Sequence, residues 1–276
     1  MQPYSVLMSV YRKEDPAYMR VALDSMLAQT VFPDEVVMVK DGPLTDELEG
    51  VLAEYDRDNP GLFRFVSYPE NRGLGYALSQ GVLACRNELI ARMDTDDYSF
   101  PDRMERQLAE FDADPALDML GTQVYEFTDS PDKPVSVSDL PLAGDELARY
   151  SKRRNPFRHV PMVYRKSRVL AAGNYSPDFL YFEDWDLFSR MLAQGDRGRN
   201  LDDPLVAMRV SPDFFARRGG LAYLSRIWRF KTELYRRGYI GAADFLISFT
   251  PHLVVSLMPN RLRGAVYTRM LRKRNG

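Results

Sequence analysis

The sequence predicts an α/β fold in which a mostly parallel sheet is flanked by helices and followed by a helical, basic C-terminal segment. Short apolar runs alternate with helically spaced apolar residues along the first half of the chain. The 276 residues, of which 45% are hydrophobic, suffice to bury the core of one large domain. Basic residues are concentrated toward the C-terminal end. We therefore expect a main domain over residues 1–220 and a helical, basic segment over residues 221–276.

Four predicted strands alternate with three predicted helices in the first hundred residues. Each strand is a short run of strand-forming residues, and each helix has apolar residues at helical spacing. Asp15 is suited to cap the first helix, and Pro16 suits its first turn. Because strands joined by helical crossovers run parallel, both faces of this sheet should be covered. The predicted strands are residues 6–10, 35–39, 63–67 and 89–93, and the predicted helices are residues 16–29, 45–55 and 75–84.

The second half of the chain has a less regular pattern. A Pro-, Ser- and Asp-rich stretch over residues 128–145 predicts a loop. Residues 182–194 predict a helix that opens with acidic residues, which the positive end of a helix dipole favours. The chain beyond Leu221 again has a helical pattern. Further strands are predicted at residues 117–127, 160–164 and 204–210.

Polar residues follow all four of the N-terminal strands. In an open parallel sheet, ligands bind beyond the carboxyl ends of the strands. Tyr11 follows the first strand, Asp41 the second and Arg72 the third, whereas Asp94 and Asp96 follow the fourth. We therefore expect these side chains to share one edge of the sheet.

The acidic run from Asp94 to Asp97 is the strongest chemical signal in the sequence. Two carboxylates two residues apart, in a loop that leaves a buried strand, can hold a ribose and a metal ion respectively. Hard divalent ions prefer carboxylate and phosphate oxygens, and they need few protein ligands when a diphosphate supplies the others. Such an ion neutralises a diphosphate leaving group. The alternative is an acidic loop that caps a helix beginning near Pro101.

Five segments occur in a characteristic order, namely Tyr11 after a strand, Lys40-Asp41-Gly42, Asn71-Arg72-Gly73-Leu74-Gly75, Met93-Asp94-Thr95-Asp96-Asp97 and Phe182-Glu183-Asp184-Trp185-Asp186. Together they resemble the family 2 glycosyltransferases, which have the GT-A fold. Within that family the chain resembles enzymes that build bacterial exopolysaccharide repeat units, such as the amylovoran type. The resemblance spans roughly residues 4–235 and depends on the ordered combination rather than on any one motif.

The resemblance implies an inverting transfer of a sugar from a nucleotide-sugar donor, in particular a UDP-sugar, to a lipid-linked saccharide acceptor. It implies that Asp41 contacts the nucleobase, that Asp94 holds the base or ribose, and that Asp96 binds Mn²⁺ or Mg²⁺. Asp184 would be the general base, with Glu183 beside it as the second catalytic residue.

The sequence also departs from the usual family pattern. Lys40 stands where the family often has an aspartate, and Ser79-Gln80 replaces a common Arg-Asn pair. The Gln-x-x-Arg-Trp signature of processive members is absent. That absence favours the addition of a single sugar over polymer synthesis.

The base for an inverting displacement must lie within hydrogen-bond reach of the acceptor hydroxyl. A carboxylate with an ordinary pKa of about 4 is ionised at neutral pH and can accept that proton. Asp184 meets these requirements if the apolar residues of its helix hold it against the body. Acidic residues are also common at helix N-termini for structural reasons alone, and Asp186 competes for the same role.

Arginines are candidate contacts for the diphosphate because a guanidinium pairs well with phosphate oxygens. Arg72 and Arg209 are the main candidates, and Arg217 and Arg218 are further ones. An ordinary solvated arginine is an equally good interpretation of each.

Each of three aromatic residues near these segments, counting a histidine, can have either a role in the site or a structural role. His159 can line the acceptor site or bind a metal ion, but a hydrogen-bonded structural role is favoured for a lone histidine. Tyr181 and Trp185 can stack on a sugar face or pack in the core.

The net charge of −2 conceals a strong asymmetry, because 14 basic and 3 acidic residues follow from Arg209 onward. Apolar residues between Phe245 and Met258 precede a basic cluster, a pattern typical of segments at anionic membrane surfaces. The alternative is a helix docked on the body with a solvated basic end. Nucleic acid is not expected as a partner, because no recognisable nucleic-acid-binding motif accompanies the charge. The basic cluster is Arg261, Arg263, Arg269, Arg272, Lys273 and Arg274.

Cysteine usage and hydropathy bear on the cellular compartment. Cys85 is the single cysteine, which excludes an internal disulfide framework and is typical of a reduced compartment. The first strand begins too early to leave room for a signal peptide, and no apolar run reaches the ~18–20 residues that span a bilayer. We expect a cytoplasmic protein, peripheral on the inner face of the cell membrane.

Three competing functions fit the sequence less well. A sugar-1-phosphate nucleotidyltransferase should have a Gly-rich loop after the first strand, where this chain has Tyr11-Arg12-Lys13-Glu14. An aspartyl-phosphate phosphatase should have Thr or Val at the position of Tyr98. A non-catalytic protein that binds a sugar nucleotide or a membrane surface would not need both Asp96 and Asp184.

Overall fold

The structure, a computed structural model, describes residues 1–210 and 220–257. Its strands are β1 (Tyr4–Val10), β2 (Glu35–Asp41), β3 (Phe63–Tyr68), β4 (Leu89–Arg92), β5 (Tyr98–Ser99), β6 (Met119–Phe127), β7 (Ser136–Val137), β8 (Val163–Arg165) and β9 (Gly198–Arg209). They form one sheet with the order β3-β2-β1-β4-β8-β6-β9-β5, and β7 pairs with β6 off this path.

The helices flank this sheet and continue beyond it. Asp15 caps the first helix as predicted, since its carboxylate accepts the Ala17 backbone N–H at 2.8 Å. The helices are α1 (Pro16–Leu27), α2 (Asp46–Asp58), α3 (Leu74–Ala84), α4 (Arg103–Ala113), α5 (Gly144–Ser151), α6 (Lys166–Ala171), α7 (Glu183–Ala193), α8 (Gly220–Arg236) and α9 (Ala242–Leu257).

The sheet is mixed, but its long strands share one direction. β1 to β4 pair in parallel, as predicted from the alternating pattern. β8 is antiparallel to both β4 and β6, so β6 runs in the direction of β4, and β9 is parallel to β6. Among the described strands, only β5, β7 and β8, of two or three residues each, run in the opposite direction. The carboxyl ends of β1, β2, β4 and β9 therefore meet at one edge.

Both faces of the sheet are covered because successive side chains of a strand point to opposite sides. Val6 and Met8 of β1 belong to a core cluster that also contains residues of α1, α2 and α4. Leu7 between them belongs to a second cluster, which contains residues of α3 and α7. This arrangement confirms the predicted α/β class with flanking helices.

Most predicted boundaries shift by a few residues, and two regions differ more from the expectation. The predicted loop over residues 128–145 contains β7 and the start of α5. The last predicted strand begins six residues earlier than position 204, at Gly198. The first half of this strand is polar. It is held by backbone pairing with β6 and by the Asn200 side-chain amide, which donates to the Pro141 and Pro156 carbonyl oxygens at 2.8 and 3.0 Å. A hydrophobic pattern cannot reveal a strand held in this way.

The C-terminal helices form a third core cluster against α7. The ring of Phe230 in α8 stacks on Phe182 with centroids 5.0 Å apart, directly before α7 begins. Trp228 of α8 packs edge-on against Phe245 and Phe249 of α9. No helix among the described residues is both long enough and apolar enough to cross a bilayer.

Candidate active site

The acidic loop begins where β4 ends. The Met93 backbone N–H donates to the Leu7 carbonyl oxygen of β1 at 3.1 Å, which ties the loop to the carboxyl edge of the sheet. The Asp94 carboxylate is 31% exposed and forms an ion pair with the fully buried Arg92 guanidinium. Because a buried cation needs a partner, this pair holds Asp94 in one orientation.

Asp96 lies among carboxylates that perturb one another. Burial, followed by the charges of Asp94 and Glu14, raises the pKa of Asp96 to about 7, and the charge of Arg209 opposes this rise. Burial likewise raises the pKa of Glu14, and Asp94 adds to that shift. A cation placed among these oxygens would relieve the repulsion.

The carboxylate oxygens of the acidic loop suit a hard divalent ion, although the described residues alone do not form a complete metal site. Carboxylate oxygens are the ligands that Mg²⁺ and Mn²⁺ prefer. Within residues 1–210 and 220–257, no group of three His, Cys, Asp or Glu side chains is arranged to hold a metal ion. If Asp96 binds the ion, the oxygens of a bound diphosphate would therefore have to supply further ligands.

Glu14 is a member of this cluster that the sequence analysis missed. It follows β1 in a turn in which its backbone N–H donates to the Tyr11 carbonyl oxygen at 3.0 Å. Tyr11, a predicted site residue, is 38% exposed in the same turn. An acidic residue four positions after a strand end at this edge was the available signal.

Arg209 lies beside Asp96 because β5, which directly follows the acidic loop, pairs with β9. Its Nε donates to the Asp96 carbonyl oxygen at 3.1 Å, and its backbone N–H donates to the buried Asp97 carboxylate at 2.6 Å. Its guanidinium lies 3.7 Å from the ring centroid of Tyr18 in α1. The arginine is thus fixed next to the acidic loop by contacts on three sides.

Asp41 organises the turn that follows β3. Its carboxylate accepts the backbone N–H groups of Arg72 and Gly73 at 2.7 and 3.0 Å, the Asn71 side-chain amide at 2.9 Å and the Tyr68 hydroxyl at 2.8 Å. Only 5% of Asp41 is exposed. The contact of Asp41 with a nucleobase stays a prediction, whereas its hydrogen bonds to the turn are present in the structure.

The same turn places Arg72 at the surface. The Arg72 guanidinium lies 3.7 Å from the ring centroid of Tyr76, one turn later on α3. Gly42 approaches the turn so closely that a Cβ there would lie 2.6 Å from the Asn71 backbone nitrogen, and its φ is +80°. Only glycine fits this position.

Asp184 and Asp186 at the start of α7 have different surroundings. The Asp184 carboxylate is partly exposed and accepts the Asn155 side-chain amide at 2.7 Å and the Trp185 backbone N–H at 2.7 Å. Asp186 is fully buried and lies between Arg190 at 2.8 Å and Arg237 at 2.7 Å. Asp186 therefore ties α7 to the end of α8, and only Asp184 of this pair can meet a substrate.

Glu183 is buried beside Asp184. It is 8% exposed, and its Oε2 has no hydrogen-bond partner in the part of the chain that the structure describes. Burial, together with the smaller effect of the Asp184 charge, raises the pKa of Glu183 to about 7. A carboxyl group in this state can exist with or without its proton near neutral pH.

Arg92 connects the acidic loop with the start of α7. Besides its ion pair with Asp94, its charge lowers the pKa of Glu183. Its Nε and Nη1 have no hydrogen-bond partner among the described residues. The charge of one buried arginine thus acts on both the acidic loop and the start of α7.

The aromatic residues and His159 divide between core and surface. His159 is hydrogen-bonded to the Tyr175 hydroxyl at 3.0 Å, and burial lowers its pKa well below the usual value, which fits the structural interpretation. Trp185 is 6% exposed and packs on Phe230, so it belongs to the core. Tyr181 is 42% exposed. Arg217 and Arg218 lie outside the described residues.

Comparison with known proteins places the chain in a family. The model of glycosyl transferase family 2 matches residues 5–172. The Escherichia coli enzyme UDP-Gal:alpha-D-GlcNAc-diphosphoundecaprenol beta-1,3-galactosyltransferase is 33% identical over 98% of this chain and 97% of its own length. The amylovoran biosynthesis glycosyltransferase AmsE of Erwinia amylovora is 34% identical over 96% of this chain and 97% of its own. Both alignments extend beyond the matched model, which ends before α7.

Solved structures share the fold. TarS of S. aureus in complex with UDP-GlcNAc superimposes with a TM-score of 0.59 at 18% identity, over 82% of this chain and 66% of that one. The mannosyltransferase PcManGT from Pyrobaculum calidifontis, in complex with GDP-Man and Mn²⁺, gives 0.61 at 17% identity, over 97% and 79%. These likenesses confirm the predicted GT-A fold. The family match and the two full-length relatives confirm the resemblance seen in the sequence, and the chain belongs to glycosyl transferase family 2 as an enzyme of the hexosyltransferase type.

Proposed function

We propose that the protein transfers a single sugar from a UDP-sugar to a lipid-linked saccharide, with inversion at the anomeric carbon. The observation that carries this proposal is the position of Arg92. Fully buried, it pairs with Asp94 of the acidic loop and lies near enough to Glu183 to lower its pKa. One guanidinium thus joins a set of carboxylates suited to a nucleotide diphosphate with the helix that bears Asp184.

On the donor side, Asp96 would be the protein ligand of Mn²⁺ or Mg²⁺, and Asp94 would contact the ribose or base. When bound, the ion would neutralise the charge that develops on the diphosphate leaving group. Arg209, held beside Asp96, would meet the same phosphate oxygens. Tyr11, Asp41 and the turn bearing Arg72 would complete the nucleotide site.

On the acceptor side, Asp184 would accept the proton of the attacking hydroxyl. Inversion needs a base on the face of the sugar opposite the leaving group, within hydrogen-bond reach of the nucleophile. Asn155 holds one oxygen of Asp184 at 2.7 Å, which fixes the carboxylate without burying it. Glu183, buried behind it, would set the local charge and not contact the acceptor.

The relatives indicate which substrates to test first. One is a galactosyltransferase named for UDP-Gal and α-D-GlcNAc-diphosphoundecaprenol, and the other is named for amylovoran biosynthesis. For this chain we propose a role in the synthesis of a bacterial surface or exopolysaccharide. The enzyme would work at the inner face of the cell membrane, where its lipid-linked acceptor would be presented.

The test is a transfer assay with UDP-galactose, a synthetic GlcNAc-diphosphate acceptor bearing an alkyl chain, and Mn²⁺. We expect a disaccharide product with a β-linkage, seen by NMR, and little product when a chelator replaces the metal. If no UDP-sugar is consumed while a nucleoside triphosphate and a sugar phosphate are, the chain is a nucleotidyltransferase instead. Binding of UDP-sugars without turnover of any acceptor would favour a non-catalytic role.

A further inference from the structure

A concave region of the molecule is lined by residues that the proposed site does not use. It is a cleft of about 490 Å³ between the end of α5, the loop that follows it and the first turn of α9. Four of its lining residues are cations and two are acids. These residues are Glu146, Arg149, Lys152, Arg153, Arg154 and Asp244.

Two of the four cations are already engaged. Arg153 forms an ion pair with Asp244 at 2.7 Å, and the Lys152 ammonium donates to the Tyr239 carbonyl oxygen at 2.6 Å. Arg149 and Arg154 are exposed and have no ion pair or side-chain hydrogen bond with the described part of the chain. A helix C-terminus explains one nearby cation, but not several that converge on one cleft. Two guanidinium groups are thus available to an anion.

The residues that line the cleft are neighbours in the chain of residues in the proposed acceptor site and in α9. Arg154 directly precedes Asn155, whose amide holds the Asp184 carboxylate. On its other side, Asp244 is followed in α9 by Leu246 and Ile247, which are 63% and 50% exposed. The cleft is therefore linked through Arg154 and Asn155 to Asp184, and through Asp244 to exposed apolar residues of α9. A lipid-linked acceptor has the matching order of saccharide, diphosphate and hydrocarbon chain.

We propose that this cleft binds the diphosphate that joins the acceptor saccharide to its lipid. The inference rests on the proposed function and assigns one part of its acceptor. Bidentate guanidinium contacts suit phosphate oxygens, and the diphosphate carries the charge that offsets Arg149 and Arg154. Bound in this way, the acceptor directs its sugar toward Asp184 and its lipid along α9.

The test compares the Arg149→Gln/Arg154→Gln double variant with the unmodified enzyme. The acceptors are alkyl GlcNAc-diphosphate and the same compound with one phosphate. Losing two charge-assisted contacts should raise the KM for the diphosphate acceptor about ten- to a hundredfold and reduce the preference for two phosphates over one. The affinity for UDP with Mn²⁺, measured by calorimetry, should stay within a few-fold. The Arg57→Gln/Lys133→Gln variant removes equal charge outside the cleft and should match the unmodified enzyme.

The outcomes separate this inference from the proposed function. An unchanged KM and unchanged preference in the double variant, while the unmodified enzyme transfers sugar, would overturn the cleft and leave the function intact. Loss of binding to phosphatidylglycerol vesicles without any change in that KM would assign the cleft to a lipid headgroup and overturn it as an acceptor site. If neither the double variant nor the unmodified enzyme transfers sugar, the inference is tested by comparing their affinities for an alkyl diphosphate. Equal affinities overturn the inference, and a tenfold loss supports it.

Discussion

At the carboxyl edge of the sheet, Glu14, Asp94 and Asp96 lie close enough for each to disturb the ionisation of another. Crowding of like charges in a partly buried place is unfavourable unless a cation or a proton offsets it. Arg92 offsets the charge of Asp94 through a direct ion pair. Asp96 has the opposing charge of Arg209 nearby, yet its pKa remains about 7. A cation beside Asp96 would offset this crowding, and Asp96 is the residue assigned to the metal.

Replacing Asp96 by Asn should abolish transfer and remove most of the dependence of UDP affinity on Mn²⁺. Asp94→Asn should weaken nucleotide binding while leaving some metal dependence, because the ion keeps its main ligand. Initial rates and calorimetry with and without Mn²⁺ measure both effects. The exposed, distant Asp56→Asn variant serves as the control and should behave as the unmodified enzyme. Full activity in the presence of a chelator would contradict the assignment of the metal.

Glu183 predicts a pH-dependent contribution to stability. Its pKa is raised in the folded protein to about 7 from an ordinary value of 4.5, so the folded state binds the proton more tightly than the unfolded state does. The fold therefore loses stability as pH rises from about 4.5 to about 7, and above that the whole penalty applies.

Glu183→Gln removes a charge that is costly to bury. The variant should be more stable than the unmodified protein at pH 8 by about 1–3 kcal/mol, and this advantage should shrink toward pH 5. Urea denaturation at the two pH values gives the difference. The same stability difference at both pH values would show that Glu183 is not buried with a raised pKa.

At the scale of elements, the contact between the start of α3 and the start of α7 holds the two halves of the site together. The turn fixed by Asp41 leads into α3, and Gly75 in its first turn packs against the Ser176 backbone and Glu183. A Cβ at Gly75 would meet the Ser176 carbonyl oxygen inside contact distance and would lie 3.3 Å from the Glu183 Cβ. A change at this point displaces Glu183 relative to the nucleotide turn.

Gly75→Ala should destabilise the fold by about 1–3 kcal/mol and lower kcat, because backbone on one side of the contact must shift. Gly50 in α2 provides a matched control, since a Cβ there meets nothing within 4 Å. Gly50→Ala should stabilise the protein by about 0.5–1 kcal/mol through helix propensity and leave kcat unchanged. Thermal melts and initial rates measure both variants, and equal behaviour of the two would contradict the contact.

The elements of the first half could be predicted from the sequence because apolar spacing and capping residues determine them locally. The four parallel strands and the helix capped by Asp15 are examples. The polar first half of β9 could not be predicted, because its partners are backbone groups far away in the chain. For the same reason the local pattern could not separate Asp184 from Asp186, and only the family resemblance favoured Asp184. Their difference lies in Arg237, more than 50 residues later.

At the scale of the whole molecule, an acidic body is joined to a basic C-terminal end, and α9 exposes apolar side chains between them. The basic end and the exposed apolar side chains would each bind a membrane surface only weakly, and stable binding needs two such contributions together. The basic cluster from Arg261 to Arg274 lies outside the described residues. Membrane association, and a boundary between two units near residue 220, therefore stay predictions from sequence.

We predict binding to anionic but not to neutral vesicles, with a loss at high salt as the screening length falls from about 10 Å to about 3 Å. Neutralising Arg269, Arg272, Lys273 and Arg274 should weaken binding, while transfer to a short-chain acceptor should persist. Co-sedimentation with vesicles measures the effect. Neutralising exposed cations elsewhere should have little effect, and suitable control positions are Arg57, Arg86, Lys133 and Arg197. Equal sedimentation of all variants would exclude the electrostatic role of the tail.

The central claim is that one site combines a nucleotide-binding half with a base, and the steady-state kinetics of Asp184→Asn test it most directly. Removing the base should lower kcat about 10²–10⁴-fold while UDP affinity stays within a few-fold, because the donor does not need that carboxylate. Asp186→Asn should instead lower the melting temperature through its buried ion pairs and leave a measurable kcat in the folded protein. The opposite pattern, with Asp186→Asn folded but inactive and Asp184→Asn active, would contradict the account.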